Sequence, residues 1–408
     1  MTTALRVFLP FALTYLTAYA MRSVNAVAGE SISAELNLTS ADLGFLTSVY
    51  LAGFALCQLP FGVLLDRYGP RRVEAATLII SAGGCAIFAV ASGLSELVVG
   101  RVMMGVGSAL VLMAPFTAYR KWFSPERLPF VVGCMMVFGA SGSALAGRPA
   151  EALMMAIGWR GLFVMFAIVT CVAAASILFV VPARREPPKG QSMAALTREL
   201  GTVLKSRALY RLGPLSAVSQ AGYLSVVGLW AGPWLRDVAG LSPAAAATWL
   251  SATGAGLMIG FFSYGALASR AARVGRTLDV FVGGTILFTI LLAIMIVLPP
   301  WAATPLWVLM AGLSSGGILT YALLSSAFDE SLAGRVNTTL NFLVFFVAFL
   351  VQWLYGVVLE WGVGAGGDAL RWGHQLGLIM LLVLQLLAYV PLVLLKPDSN
   401  NAPSTESA

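Results

Sequence analysis

Three arginines lie inside long apolar stretches of this chain, and their chemistry is the first clue to its function. Arg22 follows Tyr-Ala-Met, Arg101 precedes Val-Met-Met-Gly, and Arg148 precedes a proline. A guanidinium stays charged in proteins and forms paired hydrogen bonds with carboxylate or phosphate groups. A charged residue within an apolar segment is costly, so it usually faces protein or water. The three residues are therefore candidates for an anion-binding site.

Arg22 and Arg148 are expected at similar depths in a membrane. At 1.5 Å of rise per residue, Arg22 lies ~25 Å along a helix from residue 5, and Arg148 lies ~29 Å from residue 129. Arg101 is only a few residues into its segment, so snorkelling to the surface is the alternative for it. For Arg148 the alternatives are an ion pair with Glu151 or a place in an outer loop.

The chain contains twelve apolar segments that are long enough to cross a membrane, and each arginine lies in a different one of them. Hydrophobic residues make up 59% of the 408-residue chain and charged residues only 11%, against about 25% in soluble domains. The composition therefore predicts an all-α membrane protein. The spans are predicted at 5–28, 43–65, 73–93, 96–118, 129–156, 160–182, 212–235, 244–268, 278–298, 304–327, 336–361 and 374–395.

Basic residues set the predicted orientation of these spans. Most of the 25 lysines and arginines fall in the segments that a cytoplasmic N-terminus would place inside the cell. This bias predicts that both termini are cytoplasmic, in the inner (plasma) membrane of a bacterial-type cell. The first apolar run is predicted to be a retained span, because it is too long for a signal-peptide core. The net charge of +7 then reflects membrane orientation and not nucleic-acid binding.

The chain is predicted to divide into two halves of six spans each. We place an N-terminal bundle at 1–182, a cytoplasmic linker at 183–211, a C-terminal bundle at 212–395 and a disordered tail at 396–408. The second span ends in Gly-x-x-x-Asp-Arg at residues 62–67, and its counterpart ends in Gly-x-x-x-Ser-Arg at 265–270. A motif repeated at the same place in each half is typical of parallel six-helix repeats.

The loop after the second span has the form G-x-x-x-D-R-x-G-x-R-R. It resembles the signature loop between helices 2 and 3 of the major facilitator superfamily (MFS). The resemblance implies two pseudo-symmetric six-helix bundles, transport by alternating access, and a latch that stabilises one access state. The gating residues it implies are Gly62, Asp66, Arg67, Gly69, Arg71 and Arg72, with Arg270 in the second copy. For Arg71 and Arg72 the alternative is that they only set orientation.

Two further motifs resemble parts of this superfamily. The sequence from Arg101 to Gly107 resembles a helix-4 motif, R-x-x-x-G-x-G, whose arginine is associated in relatives with proton coupling or with organising the cavity. Tyr19-x-x-Arg22 in helix 1 resembles the organophosphate:phosphate antiporter branch, which implies that Arg22 holds an anionic group. That branch has a second arginine in helix 7. Ser225 stands at the matching position here, so a two-arginine phosphate clamp is not predicted.

In this fold helices 1, 4 and 5 border a central cavity, so the three arginines are predicted to form one basic site. The deep polar groups of the C-terminal half are neutral, which suits a substrate with an anionic head and an aromatic or aliphatic body. Pro233 predicts a kink in helix 7. The predicted substrate-binding residues are Tyr19, Arg22, Asn25, Arg101, Arg148, Gln220, Tyr223, Trp230, Tyr321 and Asn341.

The coupling ion is open at this stage. No carboxylate is predicted at the middle of the membrane. Glu30 and Glu151 are the proton-coupling candidates, because they lie closest to the proposed site. Proton symport, anion exchange and facilitated diffusion therefore all stay open.

Other classes of protein find little support. The sequence has no P-loop, no metal-ligand cluster and no nucleophile beside a base, so no enzyme, metal or cofactor is predicted. The four cysteines fall in apolar runs and are expected to be core residues without disulfides. We interpret the chain as a monomeric MFS carrier of a small organic anion, a carboxylate or an organophosphate, with protons as a candidate co-substrate. Drug or metabolite efflux by proton antiport and a membrane metabolite sensor are the alternatives.

Overall fold

The computed structural model describes residues 3–124, 127–183, 193–329, 332–363 and 369–395. All regular structure in these ranges is helical. Nine helical stretches of the described chain are long and apolar enough to cross a membrane. One of these stretches contains a break and contributes to two crossings, and other crossings consist of shorter helices. The described chain therefore forms the twelve crossings that the sequence predicts. The predicted tail and residues 184–192 of the predicted linker lie outside the described residues.

The first six crossings are named α1 to α6, and several consist of two helical segments. The helical stretch Arg148–Val180 has non-helical backbone at Gly158 (φ 70°, ψ 171°), so residues 148–157 complete α5 and residues 159–180 form α6. The segments are Thr3–Ser23 with Asn25–Leu36 (α1), Ser40–Tyr68 (α2), Pro70–Ala89 (α3), Leu94–Gly107 with Met113–Trp122 (α4), Leu128–Leu145 with 148–157 (α5) and 159–180 (α6).

The last six crossings, α7 to α12, follow a linker helix at Met193–Leu204. Their segments are Arg207–Gly222, Tyr223–Trp230 and Ala231–Asp237 (α7), Pro243–Arg273 (α8), Thr277–Val297 (α9), Pro300–Ala303, Leu306–Ser314, Ser315–Ile318 and Leu319–Ser325 (α10), Ala333–Val363 (α11) and Ala369–Leu394 (α12). The middle segment of α7 is π-helical. It ends three residues before Pro233, whose missing N–H cannot bond the preceding turn, so the irregularity lies on the N-terminal side of the proline.

Two expectations need correction. The first crossing does not end near residue 28: it breaks at Val24 and continues as a helix to Leu36. The cysteines are not all core residues, because Cys171 is exposed on the outer surface of α6, where a membrane protein meets lipid. Cys85 is buried as expected, and Cys57 and Cys134 are half-buried.

The two halves pack through three pairs of helices: α2 with α11, α5 with α8, and α1 with α7. We call the side that carries the start of α1, the α2–α3 turn and the end of α12 the terminal face, and the other side the opposite face. At the opposite face Glu30 of α1 forms an ion pair with Arg236 of α7 (2.8 Å). The backbone N–H of Arg148 donates to Ser251 Oγ on α8 (2.8 Å).

Glycines seal the opposite face by letting backbones touch. A Cβ built on Gly232 of α7 would overlap the carbonyl oxygen of Ala26 on α1. A Cβ on Gly356 of α11 would lie 2.6 Å from the carbonyl oxygen of Ser40 on α2, and one on Gly147 would lie 2.6 Å from the carbonyl oxygen of Ala247 on α8. Small residues at such positions are what close helix packing in membranes requires. The two halves are therefore in backbone contact at this face.

This seal can be tested with two glycines one turn apart on α7. Gly232→Ala should lower the free energy of unfolding by about 1–3 kcal/mol, because the carbonyl of Ala26 cannot move aside without displacing α1. Gly228→Ala is the matched control, since a Cβ there meets no atom within 4 Å. Thermal unfolding in detergent compares the two. Equal unfolding temperatures would contradict the close approach of α1 and α7.

Candidate functional site

A cavity of about 510 Å³ lies between the two halves. Its walls come from α1, α2, α4 and α5 on one side and from α7, α8, α10 and α11 on the other. Arg22 lines its deep end, and Arg120, which is exposed, lines it towards the terminal face. The size is within the ~300–1,000 Å³ usual for small-molecule sites. Since the opposite face is sealed, the cavity opens only towards the terminal face in this structure.

Arg22 is the charged group at the deep end of the cavity. The break of α1 at Val24 comes two residues after it. The guanidinium carbon lies 4.0 Å from the centroid of the Tyr19 ring and 5.9 Å from that of Phe345, a cation–π geometry. Its Nη2 atom is buried and has no hydrogen-bond partner. No carboxylate among the described residues forms an ion pair with it.

Tyrosines surround this guanidinium. Tyr15 donates a hydrogen bond to the Tyr19 hydroxyl (3.1 Å), and both line the cavity. Tyr50 and Tyr223 also line it and are close enough to interact electrostatically with Arg22. Gly139 of α5 makes room for the Tyr15 ring, since a Cβ there would lie 2.6 Å from Tyr15 Cδ1. The result is a fixed cation ringed by hydroxyl groups that can donate or accept hydrogen bonds.

The C-terminal half supplies neutral polar groups to the same cavity. Tyr321 donates to Asn341 Oδ1 (2.8 Å), and the Nδ2 atom of Asn341 is buried without a partner. Gln220 donates from Nε2 to Ser216 Oγ (2.9 Å). The unused amide of Asn341 is a free donor for a bound molecule. Of the ten predicted substrate-binding residues, the structure brings six to the cavity: Tyr19, Arg22, Gln220, Tyr223, Tyr321 and Asn341.

Arg101 does not line the cavity. Its side chain is fully buried within the N-terminal half, where Nη1 donates to the backbone carbonyl of Met21 (3.0 Å). Its guanidinium carbon lies 5.0 Å from the Phe88 ring and 5.3 Å from the Phe163 ring. Met21 immediately precedes Arg22, at the last turn before α1 breaks. Arg101 therefore supports the backbone that carries Arg22, and it does not snorkel to the surface.

Three other predicted residues also lie away from the cavity. Arg148 pairs with Glu151 at the opposite face, because α5 breaks just before it and its side chain is 48% exposed. Asn25 lies beyond the bend at Val24, where its amide donates to Thr47 Oγ1 (2.9 Å). Trp230 is buried between α2 and α11.

Trp230 has a packing role at the opposite face. Its indole donates to the carbonyl of Gln352 (3.0 Å) and stacks on Tyr355. A Cβ on Gly44 of α2 would lie 3.1 Å from the ring. The ring is therefore part of the seal. The predicted proton-coupling candidates lie at the same face, since Glu30 pairs with Arg236 and Glu151 with Arg148.

The predicted gating loop forms a tight turn between α2 and α3. Gly69 has φ +80°, a backbone conformation that favours glycine. Arg71 donates from Nε to the carbonyl of Leu178 on α6 (3.1 Å), whereas Arg67 and Arg72 are exposed. The side chain of Asp66 lies outside the described part of the structure. The described contacts thus show Arg71 tying α3 to α6, and the latch stays a prediction.

A basic residue of the other half lies near this loop. A Cβ on Gly62 would lie 3.9 Å from Nη1 of Arg335 at the start of α11, and Arg335 Nε donates to Glu199 of the linker helix (3.3 Å). In the second copy of the motif Arg270 is exposed, and Gly265 has open space around it. The repeat therefore keeps the position of the motif but not its contacts.

Several cavity residues, among them Arg120, Tyr50 and Phe54, were not among the predicted site residues. Arg120 lies beyond the predicted span 96–118, yet it shares one face of the second α4 segment with Met113 and Phe116, at spacings of three and four residues. Tyr50 and Phe54 line the cavity from α2 with the same spacing. The four-residue spacing of Phe116 and Arg120 places both on one face of a helix, and this spacing could have predicted that Arg120 lines the cavity.

Comparison with known proteins now places the chain. Twelve membrane helices around a central cavity define a membrane transport protein and not an enzyme. A family model described as "Major Facilitator Superfamily" matches residues 11–352. The chain belongs to the Major Facilitator Superfamily.

Two named relatives match only part of the chain, at less than 30% sequence identity. The chain is 29% identical over 150 residues to "Probable L-galactonate transporter" of Escherichia coli (strain K12), covering 37% of this chain and 33% of the relative. It is 27% identical over 158 residues to "Probable sulfoacetate transporter SauU" of Cupriavidus necator, covering 39% and 37%. These matches span only about a third of each relative. The crystal structure of a D-xylose-proton symporter shares the fold, with a TM-score of 0.76 at 16% identity over 98% of this chain and 100% of that one.

The opening of the cavity and its sidedness can be tested together by cysteine labelling. In a variant without the four native cysteines, Ser325→Cys lines the cavity near the terminal face, and Ser251→Cys lies in the seal. A membrane-impermeant maleimide should label Ser325→Cys in inside-out vesicles but not in right-side-out vesicles, because the terminal face is predicted to be cytoplasmic. Ser251→Cys should stay unlabelled in both. Labelling of Ser325→Cys only in right-side-out vesicles would reverse the orientation, and fast labelling of Ser251→Cys would contradict the seal.

Proposed function

We propose that this protein is a secondary transporter that moves a small organic anion across the inner membrane by alternating access, with its terminal face in the cytoplasm. The observation that carries the proposal is the guanidinium of Arg22 at the deep end of the cavity, which forms no ion pair with a described carboxylate. Its buried Nη2 atom has no partner, and no described carboxylate neutralises the charge.

An unpaired charge in such a place favours an anionic ligand. Burying a charge without a partner is costly, and a carboxylate that binds a guanidinium supplies both the opposite charge and hydrogen bonds. The described cavity lining contains no acidic residue, so it has no group that would balance a cationic substrate. Arg120 adds a second positive charge towards the terminal face, where it would attract anions to the open mouth.

The number of cations at the deep end narrows the substrate class. Arg22 alone lies there, because Arg101 is buried behind α1 and Arg148 pairs at the opposite face. One guanidinium suits one carboxylate or sulfonate better than the doubly charged phosphate of an organophosphate. The tyrosine hydroxyls and the Asn341 amide can bind a hydroxylated body, and Phe345 and Phe54 can cover its apolar face. A hydroxylated or partly apolar monoanion is the substrate we propose.

Two relatives support this class by their names. One is named as a transporter of L-galactonate, a hydroxylated monocarboxylate, which fits the proposed monoanion. The other is named as a transporter of sulfoacetate, which carries both a sulfonate and a carboxylate, so its name supports only the wider class of small organic acids. Both names describe organic acids of small size. The distribution of contacts also supports alternating access, since the halves touch through backbone at the opposite face and are separated by the cavity towards the terminal face.

The proposal is tested by flux into proteoliposomes with labelled monocarboxylates and sulfonates. Arg22→Ala should raise KM by about 10- to 150-fold, because a hydrogen-bonded charge contributes ~1.5–3 kcal/mol. Arg22→Lys should recover part of the loss, since it keeps the charge without the paired geometry. Arg273→Ala is the control, because Arg273 is exposed at the end of α8 and away from the cavity.

Three outcomes would contradict the proposal. Arg22→Ala could transport the anion with an unchanged KM. Neutral or cationic compounds could move while no anion does, which would favour efflux. An anion could bind saturably without any flux, which would favour a sensor.

A further inference from the structure

One acidic residue stands apart from the others in the described structure. Glu74 of α3 is 0% exposed, and both of its carboxyl oxygens are buried without a hydrogen-bond partner. Every other carboxylate whose side chain is described forms an ion pair, caps a helix or is exposed. Those residues are Glu30, Glu35, Asp42, Glu96, Glu151, Glu199, Asp237, Asp279, Asp329 and Glu360.

The surroundings of Glu74 contain no cation that pairs with it. Within its own helix, Arg71 donates to the carbonyl of Leu178 and Arg72 is exposed. Tyr119 on the second segment of α4 is a titratable group of another helix that is close enough to interact electrostatically with Glu74. The two side chains are not hydrogen-bonded, and the Tyr119 hydroxyl donates instead to the carbonyl of Phe8 on α1 (3.2 Å).

The other helices that pack on α3 are α2, the two segments of α4, and α6. None of their remaining described charged or titratable groups forms a hydrogen bond with the Glu74 carboxyl group. On α2 these groups are Tyr50, Cys57, Arg67 and Tyr68, and the side chain of Asp66 lies outside the described part. On α4 they are Glu96, Arg101, Arg120 and Lys121. On α6 they are Arg160 and Cys171.

A carboxylate in such a place cannot stay ionised. Moving an unpaired charge out of water costs far more than protonating the group, so the neutral acid is the form that fits this packing. Even the neutral acid has unused hydrogen-bonding groups, which costs free energy. An ionisable residue that is retained inside the membrane at such a cost usually marks a functional site.

The helix next to Glu74 connects it to the cavity. The second segment of α4, Met113–Trp122, is set off from the first by the non-helical residues 108–112. On one face it carries Phe116 and Arg120, which line the cavity, and on another it carries the buried Tyr119 beside Glu74. Across the cavity lie Ala322 and Ser325 of α10. If the terminal face closes, we expect this segment to approach α10 and the packing over Glu74 to change with it.

We propose that Glu74 is a proton-binding site that links pH to the access state of the transporter. In the state described here, open at the terminal face, Glu74 holds a proton taken from water at that face. When the second segment of α4 moves towards α10, the carboxyl group gains water and releases the proton. By linkage, acid conditions favour the state that binds the proton more tightly, which is the terminal-open state.

This inference rests on the alternating-access cycle of the proposed function, but it does not depend on the substrate. It also differs from the expectation that Glu30 or Glu151 carries the proton. Both of those acids are paired with arginines at the opposite face, so their ionised forms already have partners. Among the described acids, Glu74 is the buried one whose ionised form has no partner.

The test measures the access state without any substrate. Spin labels at Arg127→Cys and Arg273→Cys, in a variant without the native cysteines, report the distance between α5 and α8 at the terminal face. In otherwise wild-type protein, acidification from neutral pH should increase the long-distance population. Glu74→Gln resembles the protonated acid, so it should show the acid-side population at every pH. Glu360→Gln, an exposed acid on α11, should keep the wild-type pH dependence.

The outcomes separate the two proposals. Unchanged pH dependence in Glu74→Gln, or none in the wild type, overturns the inference whatever the substrate is. If Glu74→Gln fails to fold, Glu74→Leu replaces it with an apolar side chain of similar volume, and the same loss of pH dependence is expected. A Glu74-dependent shift in a protein that moves no organic anion supports this inference and overturns the proposed function.

Discussion

The guanidinium of Arg22, which lies in the cavity without a described counter-ion, is the feature that the surrounding helices are arranged to hold. Arg22 lies at the deep end of the cavity with a ring of tyrosines around it and no described carboxylate beside it. Several features hold it there: α1 breaks two residues later, Arg101 binds the carbonyl of the residue before it, and Gly139 makes room for Tyr15. Each of these features is local, yet together they place one positive charge in the cavity with no described carboxylate paired to it.

In our proposal, the position of Arg22 explains why the two faces of the molecule differ. Backbone contacts through glycines close the opposite face, so that the guanidinium is reached from the terminal face alone. Tight backbone contacts form or separate as units, which suits a protein with two discrete states better than gradual opening. The second segment of α4 lies between the cavity and Glu74, so anion binding and proton binding would act on the same moving element.

Much of the fold was predictable, because apolar length, charge bias and a repeated loop motif are properties of the linear sequence. Arg22 and Gly69 were predictable for similar reasons: a charge deep in an apolar run, and a glycine where two helices meet. Arg148, Asn25 and Trp230 were not, because depth along an ideal helix ignores breaks and rotation. The break before Arg148 carries its side chain to the opposite face, and the bend at Val24 turns Asn25 towards Thr47. Glu74 lies at the start of the predicted span 73–93 and drew no prediction, because only packing shows that it is buried without a partner.

Binding of an acid compared with its neutral amide tests the central claim most directly. The measurement is the thermal unfolding of the detergent-solubilised protein with L-galactonate and a panel of other monocarboxylates, each beside the corresponding neutral primary amide. A ligand that binds only the folded state raises the unfolding temperature by an amount that grows with its affinity and concentration. We expect at least one acid to raise the unfolding temperature and its amide to leave it unchanged. Equal shifts with acid and amide, or shifts with cations alone, would contradict the assignment of Arg22 as the group that binds the substrate.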